Sequence, residues 1–113
     1  MRKNIVAGNW KMNNDLAATK TLISELIELK KASNAEIMIA PTFVNLLEAS
    51  KLLKDTSIKV VSQNMHYAES GAFTGEISAK MLKAVGVNTV ILGHSERREY
   101  FNEDDLILKE KVD

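Results

Sequence analysis

Residues 36–41 read EIMIAP, a short apolar run that is closed by a proline. Comparable apolar runs occur at 5–7 (IVA), 60–61 (VV) and 90–92 (VIL). The apolar residues within each run are continuous rather than alternating with polar ones, which is typical of strands that are covered on both faces. These runs therefore predict a parallel sheet within an α/β fold.

Amphipathic stretches separate the predicted strands. The spacing of their apolar residues predicts helices over about 15–31, 43–53, 77–85 and 103–113, and Asn102 is expected to cap the last of them. Alternating strands and helices fit either an open doubly wound sheet or part of a (β/α) barrel, and spacing does not decide between them. Both architectures place chemistry at the carboxyl ends of the strands.

Polar residues of unusual character follow the predicted strands. Because the carboxyl ends of parallel strands meet at one edge, we expect these residues to share a rim suited to a small anionic, oxygen-rich substrate. They are Asn9, Trp10 and Lys11 after the first strand, Gln63, Asn64 and His66 after the third, and His94, Ser95 and Glu96 after the fourth.

Each charged candidate has a plain interpretation as well as a functional one. Lys11 is either a solvated loop lysine, which position alone favours, or a cation facing a phosphate or a developing oxyanion. His94 precedes a helix start, whose positive end favours a neutral ring that can donate a hydrogen bond to a carbonyl. Its spacing fits a structural and a catalytic role equally well. Glu96 caps the following turn, pairs with Arg97 or Arg98, or holds Lys11.

Composition excludes several classes of function. The 113 residues include 15 basic and 15 acidic side chains, so charge gives no reason to expect a nucleic acid or an anionic membrane as partner. The absence of cysteine excludes disulfides and cysteine metal sites, and His66 and His94 have no further ligand cluster, so we expect no metal. Without a long apolar stretch or a linker, we expect a soluble intracellular protein of one domain.

Four segments of the chain together resemble the triosephosphate isomerase family, and the resemblance extends over the whole sequence. They are GNWKMN at 8–13, APT at 40–42, QN at 63–64 with GAFTGEIS at 71–78, and GHSERR at 93–98. The resemblance implies a (β/α)8 TIM barrel of which only the first four β/α units are present. Residues 1–113 would then be the amino-terminal half of a single TIM-barrel domain.

The resemblance also implies a function. Members interconvert dihydroxyacetone phosphate and glyceraldehyde 3-phosphate through an enediolate, in glycolysis and gluconeogenesis, in the cytoplasm, without cofactor or metal. Lys11 would bind and polarise the substrate, with Asn9 beside it, and His94 would be the neutral electrophile. Glu96 would steady Lys11, and Thr74 would reach toward the partner's active site in a homodimer.

The chain differs from the family pattern in extent. Such barrels have eight strands in roughly 250 residues, and the general-base glutamate, the lid and the phosphate-binding loops belong to the second half. We therefore expect the 113-residue chain alone to be inactive as an isomerase and, with four strands, to self-associate. The competing hypothesis is a non-enzymatic half-barrel module that self-assembles or binds an anion, in which Lys11 and His94 are relics. A flavodoxin-like open sheet is a weaker option, because the sequence has no glycine-rich cofactor loop.

Overall fold

Strands and helices alternate along the chain. The computed structural model describes residues 2–113, so Met1 lies outside the description. The described residues form four strands and five helices. In chain order they are β1 (Ile5–Asn9), α1 (Leu16–Lys30), β2 (Glu36–Ala40), α2 (Phe43–Leu52), β3 (Lys59–Ser62), α3 (Ala79–Ala84), β4 (Thr89–Val90), α4 (Ser95–Tyr100) and α5 (Asp105–Val112).

The order of the strands decides the architecture. Successive strands are also spatial neighbours, in the order β1-β2-β3-β4, and every pair is parallel. A doubly wound sheet reverses its order at a switch point, whereas sequential right-handed crossovers place all connecting helices on one face. This is the arrangement of the first four units of a (β/α)8 barrel. The barrel prediction is thus confirmed, and the open doubly wound and flavodoxin-like alternatives are wrong.

The core lies between the sheet and its helices. One cluster joins α1, β2 and α2 through Ile23, Ile39, Ala49, Leu53 and Ile58, and Trp10 packs against it. A second cluster joins α2 and α3 through Leu46, Leu82 and Val87. Because Val60 of β3 contacts both clusters, the apolar side chains form a continuous layer that fixes each strand end relative to the next.

Most of the predicted elements are present with small differences at their ends. β1 extends past its apolar run to Asn9, and α3 starts at Ala79 because the Ser78 hydroxyl accepts the Met81 amide hydrogen. The apolar spacing does not predict α4, although a helix start is expected directly after His94. Thus the end of β4 is followed directly by a helical turn.

The predicted cap of the last helix is wrong. Asp104, not Asn102, caps α5, and its carboxylate accepts the amide hydrogen of Ile107 at 2.9 Å. Asn102 has a φ of 55°, a left-handed conformation that asparagine tolerates better than most residues. It therefore belongs to the turn between α4 and α5.

A buried ionic cluster fastens α4 and α5 to the sheet. Arg97 of α4 donates from Nε to Glu103 Oε2 at 2.9 Å, and the Lys111 ammonium of α5 pairs with the same oxygen. Lys111 also donates to Asn64 Oδ1 at 2.8 Å, just after β3. The side chains of Glu103 and Lys111 are almost fully buried, so each charge depends on the others for its stabilisation.

The helices are short. α1 is the longest with 15 residues, whereas a bilayer requires roughly 20 apolar residues in a helix. Among residues 2–113, no helix is both long and apolar enough to cross a membrane.

The sheet formed by residues 2–113 has two open edges. β1 is hydrogen-bonded only to β2, and β4 only to β3. On β1, Ile5 and Val6 are 56% and 59% exposed, which is unusual for apolar strand residues. Open edges that carry apolar side chains are templates for pairing with another strand.

The pKa of Glu103 links the ionic cluster to pH. Burial raises this pKa, but the hydrogen bonds and charges of Lys111 and Arg97 outweigh burial, so the pKa lies below its ordinary value of 4.5. A carboxyl whose pKa is lowered by folding stabilises the fold above its unfolded pKa, and this stabilisation is lost as pH falls through the folded pKa. The contribution of Glu103 is therefore complete at neutral pH and disappears in acid.

We expect Glu103→Gln to lower the free energy of unfolding by on the order of 3 kcal/mol at neutral pH, because it leaves two cations without their buried counter-charge. Urea unfolding followed by circular dichroism measures this. The difference from the original chain should shrink as pH falls below about 4, where carboxylates become protonated. The exposed Glu110→Gln is the control, with an expected change within about 0.5 kcal/mol. A difference that is constant across this pH range would contradict the assignment.

We also expect the purified 113-residue chain to self-associate through its open edges. Analytical ultracentrifugation across a concentration series measures this, and Val6→Lys should weaken the association because it places a charge on the β1 edge. Leu106→Lys is the matched control. It changes an exposed side chain of α5, away from the β1 edge, and should leave the association unchanged. A soluble monomer that unfolds cooperatively would refute the expectation.

Candidate active site

A cavity of about 280 Å³ lies at the edge where β1, β3 and β4 end. After each of these three strands, at least one of the residues expected at the rim lines the cavity. Six of the nine expected residues do so. The lining residues are Asn9, Lys11, Met12, Phe43, Gln63, Asn64, His94, Glu96, Arg97 and Phe101.

The loop after β1 brings Lys11 to the cavity in a strained backbone conformation. Lys11 has a φ of 54°, a left-handed value that is uncommon for a residue with a long side chain. Its amide hydrogen is accepted by Asn9 Oδ1 at 2.8 Å. Its carbonyl accepts a hydrogen bond from Gln63 Nε2, also at 2.8 Å. Both backbone polar groups of Lys11 are therefore held by side-chain amides.

His94 occupies the turn between β4 and α4 and is itself the amino-terminal cap of that helix. Its Nδ1 accepts the amide hydrogen of Glu96 at 3.1 Å. A ring nitrogen that accepts an amide hydrogen carries no proton, so the ring is neutral and its proton is on Nε2. His94 can therefore donate a hydrogen bond from Nε2.

Gly93 makes the close turn before His94 possible. Its φ of 72° is left-handed, and a Cβ at this position would approach Leu108 Cδ1 to 3.0 Å. Glycine meets both requirements, because it has no side chain and adopts positive φ readily. The turn places the imidazole at the strand end instead of further along α4.

Glu96 joins the two ends of the site. Its Oε1 lies 2.6 Å from Lys11 Nζ, and the hydrogen bond from Lys11 holds the pKa of Glu96 below its ordinary value, against the opposing effect of desolvation. The other oxygen lies 3.7 Å from His94 Nδ1. That contact is not an ion pair, because Nδ1 already accepts an amide hydrogen. Of the partners that the sequence left open for Glu96, the structure contains Lys11.

The two arginines that follow Glu96 have other partners. Arg97 pairs with buried Glu103, and Arg98 Nη1 lies 3.1 Å from Asp105 Oδ1. Arg97 also places its guanidinium 4.7 Å from the ring centre of Phe101, so that both side chains line the cavity. The sequence predicts neither side chain at the cavity, because Arg97 is expected only as a partner for Glu96 and no local pattern distinguishes a cavity-lining residue such as Phe101 from an ordinary one.

Trp10, His66 and Ser95 do not line the cavity, so the expectation that they share the rim is wrong for all three. Trp10 packs against the core cluster of α1, β2 and α2 instead. The backbone amide of His66 donates to the Ile77 carbonyl at 2.7 Å, and His66 forms an isolated parallel β-bridge with Ser78. The His66 ring instead stacks with Tyr67 and Phe73, at ring-centre distances of 4.2 and 4.3 Å.

Thr74 lies in the loop that these aromatic rings support. The loop is closed at its base between His66 and Ser78, and its tip, including Thr74, is exposed. Phe73 next to it is 39% exposed. Thr74 does not line this chain's own cavity.

The cavity suits the binding of an oxygen anion. It presents an ammonium, a neutral imidazole that donates from Nε2, and side-chain amides, and such preorganised donors stabilise negative charge. Across the part of the chain that the structure describes, no three His, Cys, Asp or Glu side chains are grouped as metal ligands would be.

Comparisons with known proteins agree with these motifs. A family model described as triosephosphate isomerase matches residues 4–113. The chain is 59% identical to the triosephosphate isomerase of Flavobacterium johnsoniae and 61% identical to that of Flavobacterium psychrophilum, in each case over 100% of this chain and 46% of the relative. It is 55% identical to that of Clostridium acetobutylicum, over 99% of this chain and 45% of the relative.

The chain thus spans about half the length of the curated relatives it matches. The match extends through all four β/α units and includes the loops that carry Lys11 and His94. On these grounds the chain belongs to the triosephosphate isomerase family.

Proposed function

We propose that residues 1–113 form the amino-terminal half of a single barrel domain whose complete protein interconverts dihydroxyacetone phosphate and glyceraldehyde 3-phosphate. The family assignment and the span of about half of each relative support this. The observation that carries the proposal is that the Lys11 ammonium and the neutral His94 imidazole line the same cavity. The pathways are glycolysis and gluconeogenesis, and the location that fits them is the cytoplasm.

The proposed chemistry is the stabilisation of an enediolate. Removing a proton next to the substrate carbonyl transfers negative charge to the carbonyl oxygen. His94 donates from Nε2 to the substrate oxygens, and Lys11 supplies positive charge beside them, with Asn9 as a neighbouring binding group. These interactions strengthen as the oxygen gains charge, so they lower the barrier more than they stabilise the bound substrate.

Glu96 has a supporting role in this scheme. It is ionised and paired with Lys11, and its pKa is lowered, so it is a poor acceptor for a substrate proton. Among the described residues that line the cavity, Glu96 is the one acidic side chain. The proton-abstracting carboxylate of the proposed reaction is therefore expected outside residues 2–113.

We also propose that the complete protein is a homodimer, with Thr74 as a contact residue. The exposed loop tip at Thr74 and Phe73 matches, in chemical character, the apolar rim of the cavity, where Met12 is 92% and Phe101 62% exposed. Inserting the loop of one copy beside the rim of another would bury both surfaces. It would also close one side of the cavity.

We expect Lys11→Ala and His94→Asn to lower kcat/KM for isomerisation by about 100-fold or more in the complete protein that contains this chain. A coupled assay of glyceraldehyde 3-phosphate conversion measures this. Lys31→Ala, which removes an exposed lysine at the end of α1, is the matched control and should retain full activity. Undiminished activity in both site variants would overturn the proposal. A complete protein without isomerase activity would favour the non-enzymatic module.

The 113-residue chain purified alone should show no isomerase activity, because its cavity has no available base. The assay requires a host that lacks its own isomerase, and the same host without the chain is the control. A clear rate that is abolished by His94→Asn would show that the base lies within this chain.

A further inference from the structure

The loop between β1 and α1 contains two non-glycine residues in the left-handed conformation. Lys11 has a φ of 54° and Asn14 a φ of 72°. Asparagine tolerates this region, because its short side chain interacts with the nearby backbone, whereas lysine has no such compensation. The conformation of Lys11 must therefore be maintained by its surroundings.

Gln63 supplies one part of that support. Its Nε2 donates to the Lys11 carbonyl at 2.8 Å and to the Ala40 carbonyl at 2.7 Å. One amide group thus ties the loop to the last residue of β2. The orientation of the amide follows from chemistry, because Oε1 in the same place would face two acceptors.

Asn9 holds the other side of the same peptide segment. Its Oδ1 accepts the amide hydrogen of Lys11 at 2.8 Å. With Gln63 on the carbonyl and Asn9 on the amide, rotation of Lys11 to a negative φ would break hydrogen bonds on both sides. The direction in which the Lys11 side chain leaves the backbone is fixed in consequence.

We propose that Gln63 is a positioning residue for the Lys11 ammonium, acting through the Lys11 backbone together with Asn9. The long lysine side chain has many rotamers, and a fixed starting direction restricts it to those that reach Glu96, 2.6 Å away, beside His94. For catalysis this inference rests on the function proposed above. The geometric claim itself does not require isomerase activity.

Asn45 provides a matched comparison within the same loop. It is buried and donates from Nδ2 to the carbonyl of Asn14 at 2.9 Å. Both amides therefore hold the carbonyl of a left-handed loop residue, but only Gln63 holds that of Lys11. If Gln63 were merely a structural tie, removing either amide would have the same kind of effect.

The test is carbon-13 NMR of the Glu96 carboxyl group in the complete protein that contains this chain, assigned with Glu96→Gln and followed as a function of pH. The Lys11 ion pair keeps the pKa of Glu96 low, so loss of the pair raises the titration midpoint toward the ordinary glutamate value. Gln63→Met keeps the length of the side chain and removes the donor, and it should raise the midpoint. Asn45→Leu should lower the urea midpoint of unfolding and leave the Glu96 titration unchanged.

Two results would overturn the proposal. One is a Glu96 titration in folded Gln63→Met that matches the original protein, and the other is an equal shift in Asn45→Leu. If Gln63→Met does not fold, residual dipolar couplings and hydrogen exchange in the original protein decide. A positive φ at Lys11 with protected Gln63 amide hydrogens supports the proposal, and freely exchanging amide hydrogens refute it. Neither measurement depends on isomerase activity, so failure of the proposed isomerase function would be distinguished from failure of this proposal.

Discussion

The contact between Lys11 Nζ and Glu96 Oε1 is the interaction on which the candidate site depends, because it joins the first β/α unit to the fourth. The two residues are far apart in sequence, and neither has a catalytic meaning by itself. They meet because four parallel strands bring their carboxyl ends to one edge in sequential order. Glu96 also donates its amide hydrogen to His94, so one residue holds the cation and determines the tautomer of the imidazole.

The sequence predicted the fold well where one physical signal was dominant. β2 has the predicted bounds because its apolar run ends at Pro41, and α1 differs from its prediction by one residue at each end. Short elements were harder to predict. The run at 90–92 predicted the fourth strand, but β4 spans only Thr89–Val90, and α4, with six residues, is too short for a helical period to be recognised.

Prediction of the site depended on which interactions are local. Asn9, Lys11, Gln63 and His94 were correctly placed together, because the carboxyl ends of parallel strands meet at one edge and only the positions of those ends had to be predicted. The partner of Glu96 remained open in the sequence, because three cations were within reach and only tertiary structure gives Arg97 and Arg98 their own carboxylates. The double hydrogen bond of Gln63 was likewise hidden, because its acceptors are backbone carbonyls, which every residue possesses.

The sequential strand order has a consequence for biosynthesis. Each strand after β1 pairs with the strand made immediately before it, so its hydrogen-bonding partner has already left the ribosome when it emerges. Translation proceeds at about 5–20 residues per second, which is slow compared with local folding. The nascent chain can therefore add one β/α unit at a time without waiting for a distant segment. Each pairing still spans one crossover, as that of Ile5 with Glu36 does, but vectorial assembly limits the time that an apolar strand spends uncovered during synthesis.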